Sequence, residues 1–65
     1  MATLVSVKEL MSFIKDKDSK YVKLINSCTG EEFYSNFYFY FPYEMKEADV
    51  TLIEFEPGCI ILYVL

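Results

Sequence analysis

The 65-residue chain reads as one small α+β domain. An N-terminal helix packs on a four-stranded, mostly antiparallel sheet, in the order α-β-β-(short helix or turn)-β-β. Three observations predict this. Val7, Leu10, Met11 and Ile14 recur at helical spacing and form one apolar stripe. Later segments are rich in β-branched and aromatic residues and are bounded by Gly, Pro and Asn. A composition of 54% hydrophobic and 18% aromatic residues is too apolar for disorder, and the length allows a single domain spanning residues 1–65.

The helix is expected from Val7 to Lys15 or Asp16. Ser6-Val7-Lys8-Glu9 fits a capping box, with Ser6 accepting from the Glu9 amide and the Glu9 side chain reaching back. Val5 and Leu10 stand where a hydrophobic staple would, and Phe13 widens the stripe. The polar run Asp16-Lys17-Asp18-Ser19 ends the element. Tyr21 to Asn26 is a strand by its β-branched content. Asn26 to Glu31 is a turn in which Gly30 can take positive φ.

Glu32 to Phe41 alternates with a period of two and is expected to form one long strand. Phe33, Phe37, Phe39 and Phe41 fall on the inner face with Ser35, and Tyr34, Tyr38 and Tyr40 on the outer face with Asn36. Such a strand outruns its six-residue neighbour. It must therefore bend at a bulge near Ser35-Asn36, or pair its overhang with another chain. Pro42 to Asp49 opens a single helical turn or a loop, with Glu44 near its start. Val50 to Phe55 is the third strand and Glu56-Pro57-Gly58 a tight turn. Cys59 to Leu65 is the fourth strand. It has no polar face, which marks it as central or covered by a partner.

The chain contains no His and no Arg; all six basic residues are Lys. That removes the imidazole base, the Cys–His pair, the usual zinc set and the bidentate phosphate fork. An enzyme is not expected, nor is any cofactor or metal. Cys28 and Cys59 are read as free, buried or half-buried structural thiols, since no export signal accompanies them. No apolar run approaches the length of a membrane span, so a soluble cytoplasmic protein is expected.

Charge is unevenly spread. Residues 1–30 hold five Lys and three acids, net +2; residues 31–65 hold one Lys and seven acids, net −6. Aromatic rows can stack bases, but so acidic a surface repels phosphates, and direct nucleic-acid binding is not expected. Tyrosine offers rigid contact area with a polar tip and suits a protein interface. The expected partner-binding residues are Tyr34, Tyr38, Tyr40 and Tyr43, with the carboxylates Glu44, Glu47, Asp49, Glu54 and Glu56. Carboxylates set among aromatics can also imitate the charge of DNA on a basic groove. So small a chain gains from self-association, and a homodimer is expected.

The opening Val5-Ser6-Val7-Lys8-Glu9-Leu10, the segment from Val22 through Asn26 to Thr29-Gly30-Glu31-Glu32, and the closing hairpin resemble small phage and prophage accessory proteins of low-GC Gram-positive bacteria. The resemblance implies an anti-defence or anti-CRISPR-like inhibitor that binds and disables a host protein, and implies no catalytic residue. The leading expectation is thus a non-enzymatic module that occludes a surface of a host defence or nucleic-acid-processing protein. The alternatives are a nucleotide-like ligand binder with its pocket at a homodimer interface, and a virion assembly module.

Overall fold

The final strand organises the sheet. The computed structural model describes residues 4–65. Its elements are β1 (Val5–Ser6), α1 (Val7–Met11), a 3-10 turn (Lys17–Ser19), β2 (Tyr21–Asn26), β3 (Glu32–Phe37), a second 3-10 turn (Tyr38–Tyr40), α2 (Tyr43–Lys46), β4 (Asp49–Glu56) and β5 (Cys59–Val64). The five strands lie in the order β1-β4-β5-β2-β3. β5 is hydrogen-bonded on both sides, antiparallel to β4 and parallel to β2. The α+β class is as the sequence implies, and β5 takes the central of the two placements its apolar run allows, although its Cys59–Ile61–Tyr63 side has no layer over it. The strand number and pairing differ: β1 adds a fifth strand of two residues on the outer edge of β4, and the sheet is mixed.

One side of the sheet carries the core. Val22 and Leu24 of β2, Ile60, Leu62 and Val64 of β5, and Val50 of β4 pack with Val7 and Met11 of α1 and with Tyr38 and Phe41. Ile14, Tyr34, Met45, Ala48 and Ile53 close its margin. In β4 the register slips between Val50 and Leu52, which leaves Thr51 as an extra residue. The bulge reverses the alternation. Ile53 joins Val50 at the core, and Leu52, Glu54 and Glu56 turn to the opposite, helix-free face. Thr51 holds the bulge by donating its hydroxyl to the Tyr63 carbonyl at 3.1 Å.

Helix α1 is shorter than its sequence stripe. Its start is where expected, but only half of the capping box forms: Ser6 Oγ accepts from the Glu9 amide at 3.1 Å, the Glu9 side chain makes no bond back to Ser6, and Val5 and Leu10 pack at the core margin. After Met11 the hydrogen bonds tighten. Phe13 and Ile14 donate to Leu10 and Met11, three residues back, and Ser12 Oγ donates to the Glu9 carbonyl. Asp16 then takes φ 57°, a left-handed conformation that ends the run. Phe13 does not widen the stripe; it is 84% exposed.

The aromatic segment departs most from its sequence pattern. The strand stops at Phe37, and Tyr38–Tyr40 wind into a 3-10 turn. The bulge lies at Phe33, between the pairs Leu24–Tyr34 and Ile25–Glu32, rather than at Ser35-Asn36. The expected Phe-in, Tyr-out arrangement is overturned. Phe33, Phe37 and Phe39 are exposed, whereas Tyr38 is buried and only Phe41 of the four phenylalanines enters the core. Residues three apart eclipse on a 3-10 turn. Tyr38 and Phe41 therefore point inward together, and Phe39 and Tyr40 between them point out.

The turns follow their residues. Asn26 Oδ1 accepts from the amides of Cys28 and Thr29, and Gly30 takes φ 78°. Gly58 takes φ 75° in the β4–β5 hairpin. Pro42 stands one position before α2.

This placement makes the phenylalanines unequal to Leu62. Leu62→Ala, fully buried between Leu24 and Ile53, is expected to cost about 2–5 kcal/mol. Phe39→Ala, at 65% exposure, is expected to stay within about 0.5 kcal/mol of the parent. Urea denaturation monitored by circular dichroism measures both.

Candidate functional site: an aromatic rim and an open sheet face

Two surfaces present chemistry. The first is an aromatic rim at the end of β3. Tyr38 anchors it: its amide donates to the Lys20 carbonyl at 2.9 Å, its ring is buried, and Lys46 Nζ lies 4.8 Å from the ring centroid. Phe41 fixes the far end and meets Tyr34 edge-on at 4.9 Å. The Tyr34 hydroxyl donates to the Tyr40 carbonyl at 3.3 Å. Between these anchors Phe39 and Tyr40 project outward, 65% and 62% exposed, their rings edge-to-face at 5.2 Å. With Phe37 they border a shallow hollow shared with Asp18 and Ser19.

The second surface is the face of the sheet that no helix covers. Across it run the rows Leu52–Tyr63–Ile25, Glu54–Ile61–Lys23 and Glu56–Cys59–Tyr21. Tyr63 donates its hydroxyl to Glu54 Oε1 at 2.8 Å. That hydrogen bond holds the phenolic proton, and with partial desolvation and the charges of Glu54 and Glu56 it raises the Tyr63 pKa above the ordinary 10. Lys23 Nζ lies 4.0 Å from Glu32 Oε1. Leu52 is 54% exposed, whereas Ile61 at the middle of the face is shielded by its neighbours.

The residues expected to bind a partner are divided among three places. Tyr40 is on the rim, and Tyr34 supports it from the core margin. Tyr38 lies in the core, where its ring anchors the rim. Its pKa is raised by burial first and by the Asp18 charge second. Tyr43, Glu44 and Glu47 are exposed on and just after α2, with Asp49 following. The Glu47 carboxylate beside the Tyr43 hydroxyl raises its pKa by favouring the protonated phenol, and Lys8 Nζ stands 5.6 Å from the ring centroid. Glu54 and Glu56 are on the open face, turned away from the α2 group by the Thr51 bulge. The carboxylates are therefore not one continuous acidic surface.

Phe37 and Phe39 belong to the rim although a strict strand alternation places them inside. Lys23, Leu52, Ile61 and Tyr63 belong to the open face, and pairing the strands by register would reveal them. Among the described residues no cluster of His, Cys, Asp or Glu has the makings of a metal site, and no helix is long and apolar enough to cross a membrane. Cys59 is a half-buried free thiol as expected, but Cys28 is exposed, because it stands in the Asn26 turn away from the core.

The Tyr63–Glu54 pair makes a titration prediction. Tyr63 should deprotonate above the ordinary tyrosine range, and Glu54→Ala should lower its pKa toward 10. The interaction favours the protonated phenol in the folded chain. Its stabilisation is thus full below pH 10 and is lost as pH rises through the folded pKa. Carbon-detected NMR of ring-labelled tyrosine follows Tyr63 alone. Among models of protein families, curated proteins and solved structures, none matches this chain.

Proposed function

We propose that the protein is a non-enzymatic binding module that occludes a surface of a larger host protein, with the aromatic rim as its principal contact. The supporting observation is the pairing of exposure with rigidity. Phe39 and Tyr40 are held out by a turn whose flanking residues, Tyr38 and Phe41, are 3% and 5% exposed. Aromatic side chains presented on an anchored backbone need no ordering of the chain on binding, which suits interface hot spots. Clustered exposed aromatics are also uncommon on a surface that binds nothing.

The carboxylates of Glu44, Glu47 and Asp49 complement this contact by steering a partner with basic groups. With Glu54 and Glu56 on the far side of the sheet, occlusion by the rim accounts for more of the surface than imitation of a nucleic acid's charge. The resemblance to phage accessory proteins favours a host defence or nucleic-acid-processing protein as the target, met in the host cytoplasm.

Affinity capture from a bacterial host lysate, with mass spectrometry of the recovered proteins, tests the reading. Phe39→Ala with Tyr40→Ala should keep the parent circular dichroism spectrum and lose at least tenfold in recovery of the target. Phe55→Ala, at a 71% exposed position on another element, should leave recovery unchanged. Equal recovery by the rim variant and the parent would overturn the proposal.

A further inference from the structure

The open face of the sheet is self-complementary, and the complementarity selects one arrangement of two copies. Its middle row reads Glu54 on β4, Ile61 on β5 and Lys23 on β2, side by side by strand register. Two such faces can meet around a two-fold axis lying between them in either of two directions. If the axis runs across the strands, each strand lies over its own copy. Glu54 then faces the second Glu54 and Lys23 the second Lys23, and like charges oppose each other twice. If the axis runs along β5, β4 of one copy lies over β2 of the other. Glu54 then faces Lys23 of the second copy, and the pair occurs twice by symmetry.

The flanking rows agree with the second arrangement. The exposed Leu52 lies over Ile25 of the second copy, Ile61 meets Ile61, and Tyr63 meets Tyr63. At the hairpin end Glu56 lies over the phenol of Tyr21, and Glu32, on the outer strand β3, falls outside the overlap.

We infer that the open sheet face docks a second copy of this chain, with the two-fold axis along β5 and reciprocal Glu54–Lys23 pairs on either side of Ile61. The face adjoins the aromatic rim at Phe37, which packs edge-on against Tyr21 but stands on β3, outside the overlap, so a dimer of this kind leaves Phe39 and Tyr40 free. Sheets packed in this way sit about 10 Å apart with strands within about 30° of alignment. Three overlapping strands at ~4.8 Å and six residues at ~3.3 Å make a face of roughly 14 by 20 Å. Two such faces bury less than the roughly 1,200 Å² of the smaller stable interfaces, so the dimer is a weak one whose arrangement is selected by charge complementarity.

Sedimentation equilibrium on charge-exchanged variants tests the arrangement. The parent should dimerise at tens to hundreds of micromolar. Glu54→Lys alone and Lys23→Glu alone should each be monomeric, since each gives the row a single sign of charge. Mixed in equal amounts, the two variants should form a heterodimer, and the double variant should dimerise again. A parent that stays monomeric, single variants that dimerise like the parent, or a mixture that fails to associate while both variants keep their circular dichroism spectra would each overturn the inference. The rim variant Phe39→Ala with Tyr40→Ala should dimerise as the parent does. Loss of dimer in that variant would place the contact on the rim instead and overturn this inference, without bearing on whether the rim captures a host protein.

Discussion

Insertion of β5 between β4 and β2 is the constraint on which the rest of the structure depends. Pairing Val22 with Ile60 and Leu24 with Leu62 in parallel joins segments far apart in the chain. The chain must run from the β3 edge back across the sheet to reach β4 before the last hairpin can close. That return path carries the second 3-10 turn and α2 over one side of the sheet. Together with α1 they bury Leu24, Leu62 and Val64 completely. A parallel contact between distant segments carries a loop-closure cost before it forms, so the closing strand is a non-local contact of the kind that slows folding.

The same constraint makes the two faces of the sheet unlike. All the helical material is spent on one side, and so short a chain has none left for the other. The helix-free face keeps a mixture of aliphatic, phenolic and charged side chains that suits neither a core nor a fully solvated surface. Ile61 illustrates this: it is 8% exposed although no layer covers it, because its own sheet neighbours shield it. The rim has a different origin. It arises where the strand gives way to a turn of period three, which sends alternate pairs of aromatics inward and outward. Both surfaces are thus consequences of how little chain must enclose the core.

Much of this was legible in the residues. The bounds of β2 were clear from Tyr21 to Asn26, the helix start from Ser6 and Glu9, and the central place of β5 from its lack of a polar face. Gly30 and Gly58 marked turns that need positive φ. What was not legible has physical reasons. Phenylalanine and tyrosine are both apolar enough for either side, so the run from Phe33 to Phe41 could not reveal its own periodicity; the anchoring of Tyr38 to Lys20 and Lys46 decides it. Thr51 carries no sign that it is a bulge, yet its extra residue moves Glu54 and Glu56 away from Glu44 and Glu47. Exposure of Tyr40 and Tyr43 could be expected, whereas burial of Tyr38 depends on contacts 18 or fewer residues away in sequence but in other elements. The continuous apolar run of β5 fits a central strand but names neither its partner nor its direction, so the parallel pairing with β2 had no local signal.

That pairing is the most direct point at which to test the account. Nuclear Overhauser contacts between backbone protons of residues 22–24 and residues 60–62 report it without reference to any partner. A parallel pattern connecting Val22 with Ile60 and Leu24 with Leu62, alongside the antiparallel pattern from Ile53 to Leu62, is the predicted result. Contacts from β5 to β4 alone, with β2 paired only to β3, would contradict it.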